Sequence, residues 1–216
     1  MVAQDDSVQS RMARPTPSPV KHSVWRTSIL FALVTAVLLG IVYPLVLDGL
    51  AHLFFPRQAD GSLIVRNGQV IGSDLIAQGF TADRYFHPRP SASNYSDQAD
   101  FAANSTTPPS GGSNLAQSNK ALVTRIQGDI DKLQAQNPGK DVPIDLVTQS
   151  GSGLDPDITP EDAWYQAPRV AKARGLTEDA VRKLIAQHTT RRQLGFLGEP
   201  RVNVLELNLA LDGAAH

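Results

Sequence analysis

The pattern of apolar and polar positions divides the chain at one long hydrophobic run. Residues 27–47 contain no charged side chain, and Arg26 and Asp48 stand at the two ends of the run. A helix rises about 1.5 Å per residue, so about 20 apolar residues cross the roughly 30 Å hydrocarbon core of a bilayer. A buried helix of a soluble domain would normally keep a polar face, which this run lacks. The run therefore predicts a transmembrane helix over residues 27–47.

A cleaved signal peptide is the main alternative to a permanent anchor. The apolar part of a signal peptide spans about 7–15 residues and leads into small residues at the cleavage site. Here the run is longer and leads into residues 48–52, Asp-Gly-Leu-Ala-His, which make a poor cleavage site. We expect the helix to remain in lipid, and we expect residues 1–26, rich in Ser, Pro and Gln, to form a disordered tail.

Basic residues near the ends of the apolar run predict its orientation. Four of them precede it and two follow it within about 20 residues, the span over which this rule counts. They are Arg11, Arg14, Lys21 and Arg26 before the run, and Arg57 and Arg66 after it. We therefore expect a cytoplasmic N-terminus, with residues 48–216 outside the membrane, which in a bacterium means the periplasmic side.

The part of the chain after the anchor predicts one small α+β domain over residues 48–216. Two β-rich runs that meet at Asn67-Gly68 predict a hairpin over residues 63–71, which we expect to extend through Phe80 toward residue 86. A polar stretch rich in Pro and Gly, residues 87–118, predicts a long loop. Loops of this length inside a compact domain often serve function or contact.

Helices and strands alternate over the rest of the domain. Apolar spacing and capping residues predict helices over 119–136, 159–174 and 177–188. Short apolar runs predict a strand over 144–148 and a longer alternating strand over 202–211. We expect the last strand to pair with the early hairpin.

Composition excludes several functional classes. The 216 residues carry a formal net charge of −1 and no cysteine. There is thus no basic footprint for nucleic acid, no disulfide framework and no thiolate chemistry. The five histidines are scattered, and the sequence has no zinc-binding His pair, phosphate-binding Walker A loop or nucleophile elbow.

A membrane-anchored periplasmic hydrolase is one alternative, and an independent binding module is another. A hydrolase would use Ser113 or Ser152 as nucleophile and His87 or His188 as base. No spacing in the sequence supports such a pairing. His188 is more typical of a partly buried residue at a helix end.

One segment, residues 149–160, has three open interpretations. Gly151 and Gly153 give the backbone freedom, so successive N–H groups could converge on an anion. Asp155 and Asp157 could instead attract a cation. The third interpretation is a tight structural turn in which Asp side chains bond to the backbone.

Several motifs, in order along the chain, resemble the KdpC family, the C subunit of the bacterial Kdp potassium-transporting ATPase. The similarity covers roughly residues 25–211 and includes a single N-terminal membrane helix. The matching segments are Arg89-Pro90-Ser91-Ala92, Ser110-Gly111-Gly112-Ser113-Asn114-Leu115, Asp145 to Thr148 with Ser150 to Pro156, Arg169-Val170-Ala171 with Ala173 to Leu176, and Phe196 to Asn208. The chain departs from the family in a longer tail before Trp25, an enlarged loop over 94–109, and Pro168 within a helix.

The resemblance implies an accessory subunit of a complex that imports potassium at the expense of ATP. The A subunit would select the ion, and the B subunit, a P-type ATPase, would form an aspartyl-phosphate. The C subunit is needed for assembly and acts as a catalytic chaperone that raises the affinity of the B subunit for ATP. It would itself be non-catalytic and hold no metal, so that ATP and potassium are handled by the complex.

The resemblance also assigns candidate residues. Gln149, Ser150, Gly151, Ser152, Gly153 and Asp155 form a candidate interaction or nucleotide-linked loop, and Ser110, Gly111, Gly112, Ser113 and Asn114 a partner-contact loop. The predicted orientation separates residues 149–153 from cytoplasmic ATP. Two hypotheses follow: an outer domain that packs on the ion-selecting subunit and shapes ion access, with Asp155 and Asp157 attracting cations, or a cytoplasmic domain whose loop touches nucleotide.

Overall fold

The structure, a computed structural model, describes residues 24–93, 95 and 110–213 of the chain. The chain divides into two compact units, Met1–Phe55 and Pro56–His216. Most of the predicted tail, and the enlarged loop apart from Tyr95, lie outside the described residues.

The first unit contains one continuous helix, Val24–Phe54, that is long and apolar enough to cross a membrane. It consists of α1 (Val24–Val37), a π-helical segment (Leu38–Val42) and α2 (Tyr43–Phe54). The helix is longer at both ends than the predicted 27–47. Pro44 lies in the first turn of α2, two residues after the π-helical segment ends, where its missing N–H is tolerated.

The second unit opens with a short helix and the predicted hairpin. Helix α3 (Pro56–Ala59) leads into β1 (Leu63–Arg66) and β2 (Gln69–Ser73), which pair antiparallel. Asn67 and Gly68 have φ angles of 53° and 77°, the positive values that a type I′ turn requires. The hairpin is confirmed, but its expected extension toward residue 86 is wrong: beyond Ser73 there is only an isolated bridge to Ile76.

Three predicted helices are confirmed, together with their caps. They are α4 (Lys120–Gln136), α5 (Pro160–Arg174) and α6 (Glu178–Gln187). Each begins after a residue whose side-chain oxygen accepts a hydrogen bond from a first-turn N–H. These caps are Asn119, Thr159 and Thr177. Gly175, with φ 67°, ends α5 in the left-handed conformation, and Pro168 lies inside that helix.

The predicted strand over residues 144–148 is wrong. Ile144–Leu146 form one turn of 3₁₀-helix, in which the N–H of Val147 donates to the carbonyl of Ile144. The apolar run is short, and Pro143 immediately before it lacks the N–H that a strand ladder uses.

The predicted strand over residues 202–211 is also largely wrong. Strand β5 covers only Arg201–Asn203, and helix α7 follows as Val204–Gly213. The buried positions of this helix are Val204, Leu205, Leu207, Asn208 and Leu211. Their spacing fits one face of a helix, and the adjacent pair 204–205 already broke the strict alternation that a strand requires.

The second unit also contains a small three-stranded sheet. Strands β3 (Asp157–Ile158) and β4 (Thr189–Thr190) each pair antiparallel with β5, in the order β3-β5-β4. The β1–β2 hairpin forms a separate sheet, so the expected pairing of the last strand with the hairpin is wrong.

The core lies between this sheet and helices α5, α6 and α7. Phe86, from the irregular segment after the hairpin, is completely buried in it. Its other members include Ile158, Ala167, Val170, Val181, Ile185, Val202, Leu207 and Leu211. The mixed α+β class predicted from the sequence is confirmed, and the core fixes the segment that leads into the candidate site.

Candidate interaction site

Two buried amide side chains hold the segment that enters the site. The Asn208 amide accepts from the Phe86 N–H at 2.8 Å and donates to the Phe86 carbonyl at 3.0 Å. Gln166 bonds His87 in the same way, at 2.8 and 3.1 Å. Each amide thus bonds both the N–H and the carbonyl of one residue that lies outside any helix or strand. These backbone groups would be costly to bury without hydrogen-bond partners.

The next residues place Arg89 over the start of the candidate loop. Its guanidinium donates to the Asp155 carboxylate at 3.0 Å and lies 3.8 Å from the Asp145 carboxylate. The Tyr95 hydroxyl donates to the Arg89 carbonyl at 2.7 Å. Arg89 therefore connects the segment before the enlarged loop to the Asp155 side of the candidate loop.

Three segments rich in Ser and Gly then meet in what we call the serine–glycine cluster, residues 90–93, 110–112 and 150–153. The Ser150 N–H donates to the Pro90 carbonyl at 2.9 Å, and the Gly111 N–H to the Ser152 carbonyl at 2.7 Å. Three hydroxyl-to-carbonyl bonds complete the contact: Ser91 to Gly153, Ser93 to Gly111 and Ser110 to Ser152. The structure thus brings the two candidate loops into direct contact.

The cluster depends on glycine at one position in particular. Gly153 has φ 72°, and a Cβ there would lie 2.6 Å from the Gly111 carbonyl oxygen. Gly112 also lies close, since its Cβ would be 3.2 Å from the Gly151 carbonyl oxygen. The backbones therefore approach more closely than side chains allow.

Three successive N–H groups at the end of the candidate loop bond to serine hydroxyls of the cluster. Those of Gly153 and Asp155 donate to the buried Ser150 hydroxyl at 2.9 and 3.3 Å, and that of Leu154 donates to the Ser152 hydroxyl at 3.1 Å. Groups already bonded in this way cannot also converge on an anion. The geometry fits a structural turn, with Gly151 and Ser152 exposed at its edge.

The remaining predicted residues occupy different surroundings. Ser113 and Asn114 are exposed, and Asn114 has a left-handed φ of 51°. Gln149 is partly buried, and its side-chain oxygen has no hydrogen-bond partner among the described residues. The predicted partner-contact loop thus has two parts. Ser110, Gly111 and Gly112 belong to the cluster, whereas Ser113 and Asn114 are exposed.

The two candidate cation-attracting carboxylates are both paired with arginine. Asp155 binds Arg89 at 3.0 Å, and Asp157 binds Arg201 at 3.0 Å. Asp155 also accepts from the N–H of Asp157 at 3.1 Å, as the structural-turn interpretation expects. Pairing with fixed positive charge opposes the expected attraction of cations. In the described residues, no group of three or more His, Asp or Glu side chains could hold a metal ion.

A cavity of about 290 Å³ lies beside these ion pairs, lined by Arg89, Asp145, Asp155, Asp157, Thr159, Glu199 and Arg201 among others. Asp162, from the first turn of α5, has no exposed surface, and neither carboxylate oxygen has a hydrogen-bond partner in the described part of the chain. Burial first, and the charge of Asp145 second, raise the pKa of Asp162 to about 7.

The Ser–His pairs of the hydrolase alternative do not meet in the hydrogen bonds of the described residues. The Ser152 hydroxyl lies 3.2 Å from the Ser150 hydroxyl, and the His87 ring bonds the carbonyl of Ala82 at 3.2 Å. Burial lowers the pKa of His87, and the charge of Arg169 lowers it further.

Three residues that position the site were not singled out in the sequence. Asn208 lies on a helix face that is otherwise apolar, and an amide at such a position was the available signal. Gln166 lies on the buried face of α5, which also carries Asp162. Arg89 gave no signal beyond its motif, because its acidic partners Asp145 and Asp155 lie more than fifty residues away in the chain.

Comparison with known proteins gives a consistent assignment. The family model of KdpC, the K+-transporting ATPase c chain, matches residues 25–213. The chain is 55% identical over 193 residues to a protein of Rhodopseudomonas palustris strain BisB18, covering 88% of this chain and 97% of the relative. It is 57% identical over 188 residues to a protein of Acidobacterium capsulatum, covering 87% and 96%. It is 54% identical over 194 residues to a protein of Bradyrhizobium diazoefficiens, covering 88% and 96%.

All three relatives carry the name potassium-transporting ATPase KdpC subunit. The match includes the apolar helix, the serine–glycine cluster and the last helix of the domain. The chain therefore belongs to the KdpC family, the c chain of the K+-transporting ATPase.

Proposed function

We propose that the chain is the non-catalytic accessory subunit that assembles and stabilises an ATP-driven potassium import pump. Its partners are the potassium-selecting A subunit and the ATP-hydrolysing B subunit. The observation that carries this proposal is the family match over residues 25–213, which includes the single helix able to cross a membrane.

We propose that residues 56–216 act on the periplasmic side of the inner membrane, in contact with the ion-selecting subunit. The excess of basic residues before the helix supports this orientation. The N–H groups of residues 153–155 support a contact role over a nucleotide cradle, because the hydroxyls of Ser150 and Ser152 already accept their hydrogen bonds.

We propose that the chain raises the ATP affinity of the B subunit without touching ATP. Binding that favours one arrangement of a complex changes affinity at a distant site by the same coupling free energy, typically about 1–3 kcal/mol. A change in apparent ATP affinity of about 5–150-fold is thus within reach of subunit contacts alone. This mechanism needs no nucleotide contact at residues 149–153.

The test is co-purification of the whole complex through a tag after His216, with expression of the chain beside its genomic neighbours. We expect two larger membrane proteins to elute with it and to hydrolyse ATP in response to potassium. Omission of this chain should abolish that activity. Recovery of the chain alone, with potassium-dependent hydrolysis unaffected by its omission, would contradict the proposal and favour an independent binding module.

A further inference from the structure

We propose that an ordered hairpin loop between β4 and β5 anchors this subunit to another subunit of the pump. The loop, called here the apolar tip, comprises residues 193–197. Its fitting partner is an apolar socket rimmed by acidic side chains on a protein surface. This inference rests on the proposed function, because it needs a partner subunit to be present.

The apolar tip exposes large hydrophobic side chains. Leu194 is 84% exposed, Phe196 69% and Leu197 46%. The three side chains fall within four residues of one tight turn, and exposed apolar patches commonly mark interaction sites. Other large exposed side chains of the described domain lie on the β1–β2 hairpin, where Val65 pairs with Val70, and singly on α4 and at the 3₁₀ turn, as Val123 and Ile144 do.

The backbone of the tip is nevertheless well held. The N–H and carbonyl of Gln193 both bond Leu197, each at 2.9 Å, and further turn bonds join Gly195 to Arg192 and Phe196 to Gln193. At the base of the loop Arg192 pairs with Glu199. The exposed side chains are therefore presented from a fixed turn, which lowers the entropy lost on binding.

One residue of the tip adopts a conformation that is unfavourable for its type. Leu194 has φ 52°, in the left-handed region, where a residue with a bulky side chain is rare. Backbone strain of this kind tends to occur at ligand clamps and contact sites. A fluid lipid surface accepts apolar side chains in any arrangement, whereas a shaped protein socket requires them at fixed positions. The strained, hydrogen-bonded turn therefore favours a protein partner.

The charges around the tip indicate the rim of the socket. Three arginines flank it against one glutamate: Arg191, Arg192 and Arg201, and Glu199. Arg192 and Arg201 pair within the chain, with Glu199 and Asp157, while both stay partly exposed. A surface with excess positive charge is complemented by an acidic rim, which favours correct orientation and fast association.

The size of the tip defines its role within the contact. Three side chains cannot cover the roughly 800 Å² per partner of a standard stable interface. They can act as the buried anchor of a larger contact, since a few residues usually carry most of the binding energy. A membrane helix that holds this chain in the same bilayer as its partner raises the effective concentration further.

The first experiment places a photo-crosslinking phenylalanine analogue at Phe196 in the assembled pump. It keeps the position aromatic, so folding should be preserved, and Lys183 on α6 serves as an exposed polar control position. We expect a covalent adduct between position 196 and one larger membrane subunit, with at least about a tenfold lower yield from position 183. Adducts with lipid alone, or equal yields from both positions, would overturn the inference.

The second experiment compares the double variant Leu194→Asn, Phe196→Ser with Val123→Ser, which removes an exposed apolar side chain elsewhere. Asn tolerates the left-handed conformation, so the turn should persist. We expect recovery of partner subunits to fall at least about tenfold for the tip variant and to be unchanged for the control. Equal recovery of partners by the tip variant and the unaltered chain would overturn the inference and leave the proposed function standing. Failure of the unaltered chain to recover partners would instead contradict the proposed function.

Discussion

The serine–glycine cluster and the apolar tip are both glycine-containing irregular segments, and they use their residues in opposite ways. In the cluster, residues 150–153 bond to two other segments of the chain through backbone and hydroxyl groups. In the tip, the backbone hydrogen bonds of residues 193–197 join these residues to one another and to Arg192, and large apolar side chains point outward. The first arrangement joins parts of one chain, and the second leaves a surface ready for another chain.

This difference distinguishes two roles that an irregular loop can have, one in folding and one in binding. Close backbone approach at Gly153 demands glycine for a structural reason, because three segments meet there. Large exposed side chains at Leu194 and Phe196 contribute nothing to the core of this chain. Substitutions at the closely packed positions of the cluster, such as Gly153, should therefore reduce folding stability, whereas substitutions in the tip should reduce assembly alone.

The largest expected effect is that of Gly153→Ala. A Cβ at this position would lie 2.6 Å from the Gly111 carbonyl oxygen, in a left-handed backbone conformation. We expect the free energy of unfolding to fall by about 2–4 kcal/mol, measured by urea denaturation of the full chain in detergent.

Gly151→Ala is the matched control. A Cβ there meets no atom within 4 Å, so we expect a change below about 0.5 kcal/mol. Equal effects of the two substitutions would contradict the structural role assigned to the cluster.

Asn208→Ala should have the next largest effect. It removes both hydrogen bonds to Phe86 and leaves buried backbone groups unpaired. We expect a loss of about 2–3 kcal/mol in the same measurement. Gln187→Ala, at the exposed end of α6, is the control and should be nearly neutral. A neutral Asn208→Ala would show that the amide does not hold the segment that enters the cluster.

Asp162→Asn should raise stability in a pH-dependent way. An unfolded Asp has a pKa of about 3.9, whereas burial raises that of folded Asp162 to about 7. The folded state therefore binds the proton more tightly, and its stability falls as pH rises from about 4 to about 7 and levels off above that range. We expect the variant to gain about 1–3 kcal/mol at pH 8 and much less at pH 4. A gain that does not change between pH 4 and pH 8 would rule out titration of this carboxyl as the cause.

The smallest effect on stability should come from Leu194→Asn in the tip. Asn accepts the left-handed conformation more readily than Leu, and the Leu194 side chain is almost fully exposed. We expect unfolding free energy to change by less than about 0.5 kcal/mol or to increase slightly. A thermal melt of the full chain checks this, and a large loss would place the tip with the cluster as a structural element.

Much of the fold could be predicted from the sequence because its signals are local. Asn67-Gly68 fixes the hairpin turn, and Thr159 and Thr177 cap their helices, through interactions within a few residues. The predicted strand over residues 202–211 failed for the opposite reason. Alternating and helical apolar patterns overlap in so short a run, and packing on α5 and α6 favours the helix.

The sequence predicted which segments form the candidate site, but it did not predict the contacts between them. The contact of residues 110–112 with 151–153 depends on Pro90 and Ser91, which lie about sixty residues before the second loop. Asp155 and its partner Arg89 are also far apart in the sequence. The sequence alone therefore could not exclude a cation site at Asp155. The exposure of Leu194 and Phe196 was hidden because an apolar residue in a sequence is ordinarily expected to be buried.

The measurement that tests the account most directly is the sidedness of the domain. The chain contains no cysteine, so one cysteine introduced at exposed Lys172 reports its position without interference. We predict that a membrane-impermeant thiol reagent labels position 172 in cells with a permeabilised outer membrane and an intact inner membrane. A cysteine introduced at Ser7, before the helix, should be labelled only after lysis of the inner membrane. The reverse pattern would place the domain beside ATP and contradict an accessory role carried out through contacts on the periplasmic side.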